Sequence, residues 1–227
     1  MKKITNIYRI LYSGWYSLAL FLFVPAFLFL LYLIFAVVLH NDQRLTLISF
    51  WGIFGLLGDY MVFNDLFIKN GKESVPVSGL LQSSYYGRRL LQKEILADAL
   101  RRFAQLGVLM GIAAAFGKWC FAGSLTEMTA ADCIVLVLSV YIGNTVFLNA
   151  LRYIHTFSLY WICAILCSTL WDLVNAILFA VADVMPQTSC FIIPLLFIIG
   201  IAVTALSLWH MTYRYDLYFG KGEKCHA

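Results

Sequence analysis

One acidic residue, Asp172, stands inside a long apolar run, with Ser168 four residues before it and Asn175 three residues after it. On a helix this spacing puts all three on one face. An ionised carboxylate near the centre of a bilayer costs about 2.5 to 3.5 kcal/mol even on the lenient insertion scale, so such a stripe has to avoid lipid. Two uses fit it: the stripe fastens helices together by hydrogen bonds, or it borders the path of a substrate between two subunits. Thr145 and Asn149 make a smaller stripe at i, i+4, open to the same two readings.

Chemistry of the enzymatic kind has no footing. There is no G-x-S-x-G elbow, no Gly-rich dinucleotide fingerprint, no H-E-x-x-H pair and no acidic pair placed for hydrolysis within a span. Gly71-Lys72-Glu73-Ser74 superficially matches the end of a phosphate-binding loop, but Leu66 occupies the position where that loop requires Gly. The six cysteines show neither metal-type spacing nor C-x-x-C, and read as small apolar packing residues. The chain is therefore expected to be no enzyme, to hold no metal or cofactor of its own, and to draw any energy from an ion gradient or another subunit.

The elements that must position these residues follow from composition. Of the 227 residues 62% are hydrophobic and 12% charged, a balance that no soluble domain keeps dispersed in water. A helix rising about 1.5 Å per residue crosses a hydrocarbon layer of about 30 Å in roughly 20 residues. Six segments meet that length: 18–39, 45–63, 103–122, 131–151, 157–182 and 190–209. The expected fold is an all-α integral membrane protein with six transmembrane helices in a single domain, in the plasma or inner membrane. Ahead of it, Ile4, Ile7, Tyr8, Leu11 and Trp15 recur on one helical face, predicting an interfacial amphipathic helix over 4–16. Trp15, Trp51, Trp119, Trp161 and Trp209 fall near expected borders, as aromatic anchors do.

Basic charge sets the orientation. Lys2, Lys3, Arg9, Lys69, Lys72, Arg88, Arg89, Lys93, Arg101, Arg102, Arg152, Arg214, Lys221 and Lys224 fall on alternate connections, leaving Arg44 and Lys118 on the other side. By the positive-inside rule both termini are cytoplasmic. The net charge of +4 records this orientation and calls for no nucleic-acid partner.

The connection 64–102 is longer than two neighbouring spans need. Pro76 favours an extended Val75, Ser78 suits a helix N-cap, and Leu91, Ile95, Leu96, Ala99, Leu100 and Phe103 then recur at helical spacing. Arg88, Arg89, Gln92, Lys93 and Arg101 lie opposite. Such a basic, two-faced segment either rests on anionic lipid or presents a helix to a cytoplasmic partner.

Asp65 through Leu91, with Glu73-Ser74-Val75-Pro76-Val77-Ser78 and Tyr86-Gly87-Arg88-Arg89-Leu90-Leu91, resembles the first cytoplasmic loop of ABC-two family permeases. Tyr213-Arg214-Tyr215-Asp216-Leu217-Tyr218 is similar to the ending that follows their sixth span. Gly79 departs from the pattern, standing where many relatives carry a basic residue. The resemblance implies a permease subunit of an ATP-driven exporter, paired with a second copy or a related permease and with two cytoplasmic ATP-binding subunits. ATP and Mg would then belong to the ATPase. Pro76, Val77, Ser78, Leu80, Leu81, Tyr85, Arg88 and Arg89 would form the coupling element. The alternatives are a substrate-binding or ion-coupled membrane carrier, and a non-transporting immunity or structural membrane protein.

Overall fold

The computed structural model describes residues 22–39, 47, 49–57, 85–120, 130–151, 153–154, 156–184 and 189–213. Among them the chain is almost wholly helical and forms no strand. In order the helices are α1 (Val24–Leu39), α2 (49–57), α3 (Tyr85–Cys120), α4 (Ala130–Leu151), α5 (Phe157–Val184) and α6 (Ser189–Tyr213). Four stretches are long and apolar enough to cross a membrane: Tyr85–Phe116, Ala130–Leu151, Phe157–Leu178 and Phe191–Tyr213; α1 contributes a shorter apolar stretch, Val24–Val38. The expected interfacial helix 4–16, the loop residues Pro76, Val77, Ser78, Leu80 and Leu81, and the tail after Tyr213 lie outside the described residues.

Residues 85–102 carry the helical pattern expected within the connection, and they carry it into the span without a break. Tyr85–Cys120 is one helix of 36 residues, continuous from the basic segment into the apolar one. Its stretch from Arg88 to Leu106 contains neither Gly nor Pro and is rich in Leu, Ala, Arg and Gln, all strong helix formers. Charge there marks the end of the apolar stretch without marking the end of the helix. The expected apolar face also divides: Leu91 and Ala99 are buried, whereas Leu96, Leu100 and Phe103 are exposed.

α4 is the centre of the bundle. Its most apolar window is 61% buried, against 17% for α5 and 11% for α6, and it touches α3, α5 and α6. Asp132 in its first turn complements the positive end of the helix dipole. α6 tolerates Pro194 in its second turn, where the lost backbone bond falls close to the helix start.

Two apolar clusters hold the helices. Leu28, Tyr32 and Ala36 of α1 meet Trp51 of α2, Leu106, Leu109, Met110 and Ala113 of α3, and Leu136, Val137 and Val140 of α4. Trp51 is 4% exposed within this cluster, so it is a core residue and not the border anchor its position suggested. The smaller cluster joins Leu56 of α2, Leu148 and Leu151 of α4, and Tyr160 and Ala164 of α5. Both buried phenols are satisfied by backbone carbonyls: Tyr32 donates to Ala113 O at 3.2 Å and Tyr160 to Leu56 O at 2.7 Å. Lipid tails are as apolar as Leu, so close packing and these interhelical hydrogen bonds, more than burial from water, hold such helices together.

Candidate polar seam

The stripe on α5 faces protein. Ser168 is 4% and Asn175 2% exposed, while Asp172 between them is half-buried and shares a side-chain hydrogen bond with Ser49 of α2. Ser49 lies beside Asp172, Gly52 beside Ser168 and Leu56 beside Tyr160, a register in which α2 and α5 run antiparallel. Gly52 permits the approach: a Cβ there would stand 3.3 Å from Ser168 Oγ and 3.7 Å from Asn144 Oδ1 of α4. Two helices, α4 and α5, thus bring polar atoms to one glycine of a third.

One turn further along α5, Ser139 Oγ of α4 donates to Asn175 Oδ1 at 2.6 Å. The Trp171 indole Nε1 donates to the Ser139 carbonyl at 3.0 Å, and Phe147 meets the same indole edge-on at 5.7 Å between centroids. Among the described residues Asn175 Nδ2 and Ser168 Oγ are buried without a hydrogen-bond partner.

The stripe on α4 is satisfied largely along its own helix. Thr145 Oγ1 donates to Tyr141 O at 2.7 Å, and Asn149 Nδ2 donates to Thr145 O at 2.9 Å. Its outward links run to α6, where Ser207 Oγ donates to Asn149 Oδ1 at 3.0 Å and Tyr141 pairs with Thr204 Oγ1 at 2.6 Å. Thr204 already donates its proton to Gly200 O at 2.7 Å, so the phenol is the donor. Among the described residues no hydrogen bond joins Thr145 or Asn149 to the α5 stripe; Asn175 takes Ser139 instead.

The basic end of α3 is a separate region. Arg89 lies over the Tyr85 ring at 4.5 Å, and Arg88 approaches the Tyr213 ring of α6 at 6.0 Å. Beyond them Asp98 binds Arg101 at 2.6 Å and Arg102 at 3.3 Å, all three side chains only 10 to 12% exposed, and Arg101 also donates to Gln105 at 2.9 Å. Neighbouring charges at i+3 and i+4 make this cluster, in which the Asp98 carboxylate meets two guanidiniums.

Asp98, Ser49, Ser139, Asn144, Trp171, Thr204 and Ser207 are members of these arrangements that sequence spacing did not single out. Asp98 was findable, since Arg101 and Arg102 follow it at i+3 and i+4; the others find partners on different helices, which no local spacing records. Among the described residues no group of His, Cys, Asp and Glu is arranged to hold a metal ion. The chain matches no family model, no curated protein and no solved structure.

Proposed function

We propose that this chain is the membrane-spanning permease subunit of an ATP-driven exporter, with six spans, cytoplasmic termini and a separate cytoplasmic ATPase pair acting through the segment between spans two and three. The observation that supports this reading is α3. A single helix runs from Tyr85, Arg88 and Arg89 through the Asp98 cluster to Cys120, packing on α1, α4 and α6 on the way. A push on its basic end is carried along a Gly- and Pro-free stretch from Arg88 to Leu106 to where the helix packs on α4, and α4 carries Ser139, Asn144 and Gly143 of the seam. Shear of packed helices is an established way of turning a peripheral displacement into a rearrangement at a distance.

The seam then supplies the movable polar interior and the ATPase supplies the energy. Purification of the chain in mild detergent, followed by mass identification of what accompanies it, tests the reading. A stoichiometric nucleotide-binding subunit is the expected companion. A chain that purifies alone, and works without one, is not this kind of permease.

A further inference from the structure

Asp172 is the most unusual group in the apolar bundle, and among the described residues the helices packed around it offer no fixed countercharge. α2, α4 and α5 carry no Lys, Arg or His. The titratable groups on the helices packed around it are Asp132, Cys133 and Tyr141 on α4 and Tyr160, Cys163 and Cys167 on α5, with Tyr32 of α1 in the adjoining cluster; Tyr160 donates to Leu56 O, and Asp183 stands at the far end of α5. Tyr141 is taken up by Thr204, and Tyr32 by Ala113 O. The polar groups on this face are neutral: the Ser49 hydroxyl bonded to the carboxyl and, one turn to either side of it on α5, Ser168 Oγ and Asn175 Nδ2, both without a partner among the described residues. Both of those residues are more than nine-tenths buried.

Two orphan polar atoms flanking one carboxyl on the same helix face have a common solution. Water lodged along the face satisfies each of them and reaches Asp172, since buried water settles where two to four polar partners converge. A carboxylate at this depth without a basic partner then requires a cation of its own, and the smallest one travels by hydrogen-bonded hydroxyls and water. We propose that Asp172, with Ser49, Ser168 and Asn175, forms a proton-binding site in a hydrated seam between α2, α4 and α5. The proton adds to the free Asp172 oxygen from seam water and returns to it; Ser49 keeps the other oxygen oriented. No bond besides O–H forms or breaks. This site goes beyond the permease reading and stands whether or not an ATPase is found.

An apolar carbodiimide tests it, because such reagents cross into lipid and attach to protonated carboxyls. The full chain in lipid vesicles is treated over a range from mildly acid to mildly alkaline pH, and adducts are mapped by peptide mass spectrometry. The expected result is an adduct at Asp172 whose yield falls about tenfold per pH unit above its midpoint. Asp98, held by two arginines, is the unlabelled internal reference. Asp172→Glu retains the adduct and Asp172→Asn loses it, but the mapping in the natural chain decides the matter even where a variant fails to fold. Absence of an adduct at Asp172 throughout the range overturns the site. Suppression of the adduct by sodium at fixed pH overturns the proton as its ligand, assigning an alkali cation instead.

Discussion

Trp171 lies flat against the one place on α4 where Gly143 leaves room for it. A Cβ at residue 143 would stand 2.6 Å from indole Cδ1, well inside van der Waals contact, and the same indole donates to Ser139 O at 3.0 Å. Gly143→Ala is expected to displace the ring and lower stability by about 1–3 kcal/mol, the usual cost of overpacking. Thermal unfolding in detergent measures it. Adding Trp171→Ala to Gly143→Ala should cost less than the two changes summed, and strict additivity would show that the contact is not the cause.

Asp98 meets two arginines at once, Arg102 buried and Arg101 partly so. Asp98→Asn removes the carboxylate charge that Arg101 and Arg102 share, in side-chain surroundings only 10 to 12% exposed. The expected loss is about 3–5 kcal/mol, as for other broken buried pairs. Lower membrane yield and an earlier unfolding midpoint are the readouts, whereas Lys93→Gln on the exposed face should leave both unchanged.

Ser207 and Asn149 form a direct polar link between α4 and α6. A double-mutant cycle with Ser207→Ala and Asn149→Ala should return a coupling of about 0.6 kcal/mol, the average for interhelical hydrogen bonds in membranes. A coupling near zero would mean that this pair adds nothing to the packing and the Tyr141–Thr204 hydrogen bond that also join α4 to α6.

Rigidity of α3 is the property on which the proposed transport role depends. Ala104→Pro removes one backbone bond and kinks the helix between its basic and apolar parts, at a cost of about 3 kcal/mol. Vesicles carrying the chain with its ATPase should then hydrolyse ATP without moving cargo. Pro76→Ala combined with Leu81→Asp should do the same from the loop side, and undiminished transport in both would remove the coupling role.

Much of the helix layout was legible because a membrane reads length and apolarity directly. The expected segments 131–151, 157–182 and 190–209 correspond to Ala130–Leu151, Phe157–Val184 and Ser189–Tyr213. The face shared by Ser168, Asp172 and Asn175 was equally readable, since i, i+4 and i+7 require only helical geometry. The helical pattern from Leu91 to Phe103 was readable too, but its continuity with the following span was not: Asp98, Arg101 and Arg102 mark a change of polarity, and the stretch from Arg88 to Leu106, with neither Gly nor Pro, carries the helix through it unbroken. Pairings such as Ser139 with Asn175, or Gly52 with Ser168, depend on how α2, α4 and α5 are set against one another, and a serine on one helix bears no local trace of its partner on another. Trp51 was misread for the same reason: its place in the chain is near a segment border, but α1, α3 and α4 close around it.

The central position of α4 has a consequence for biogenesis. A nascent chain inserted as far as Cys120 already displays Leu28, Tyr32 and Met110, yet the surface that seals them, Leu136, Val137 and Val140, has still to be synthesised. Until then the early helices are lodgers in the bilayer without a settled order, open to insertion chaperones and to membrane proteases. Emergence of Ala130–Leu151 from the ribosome is therefore the moment of commitment, and a truncation before it should yield a chain that inserts and is promptly degraded.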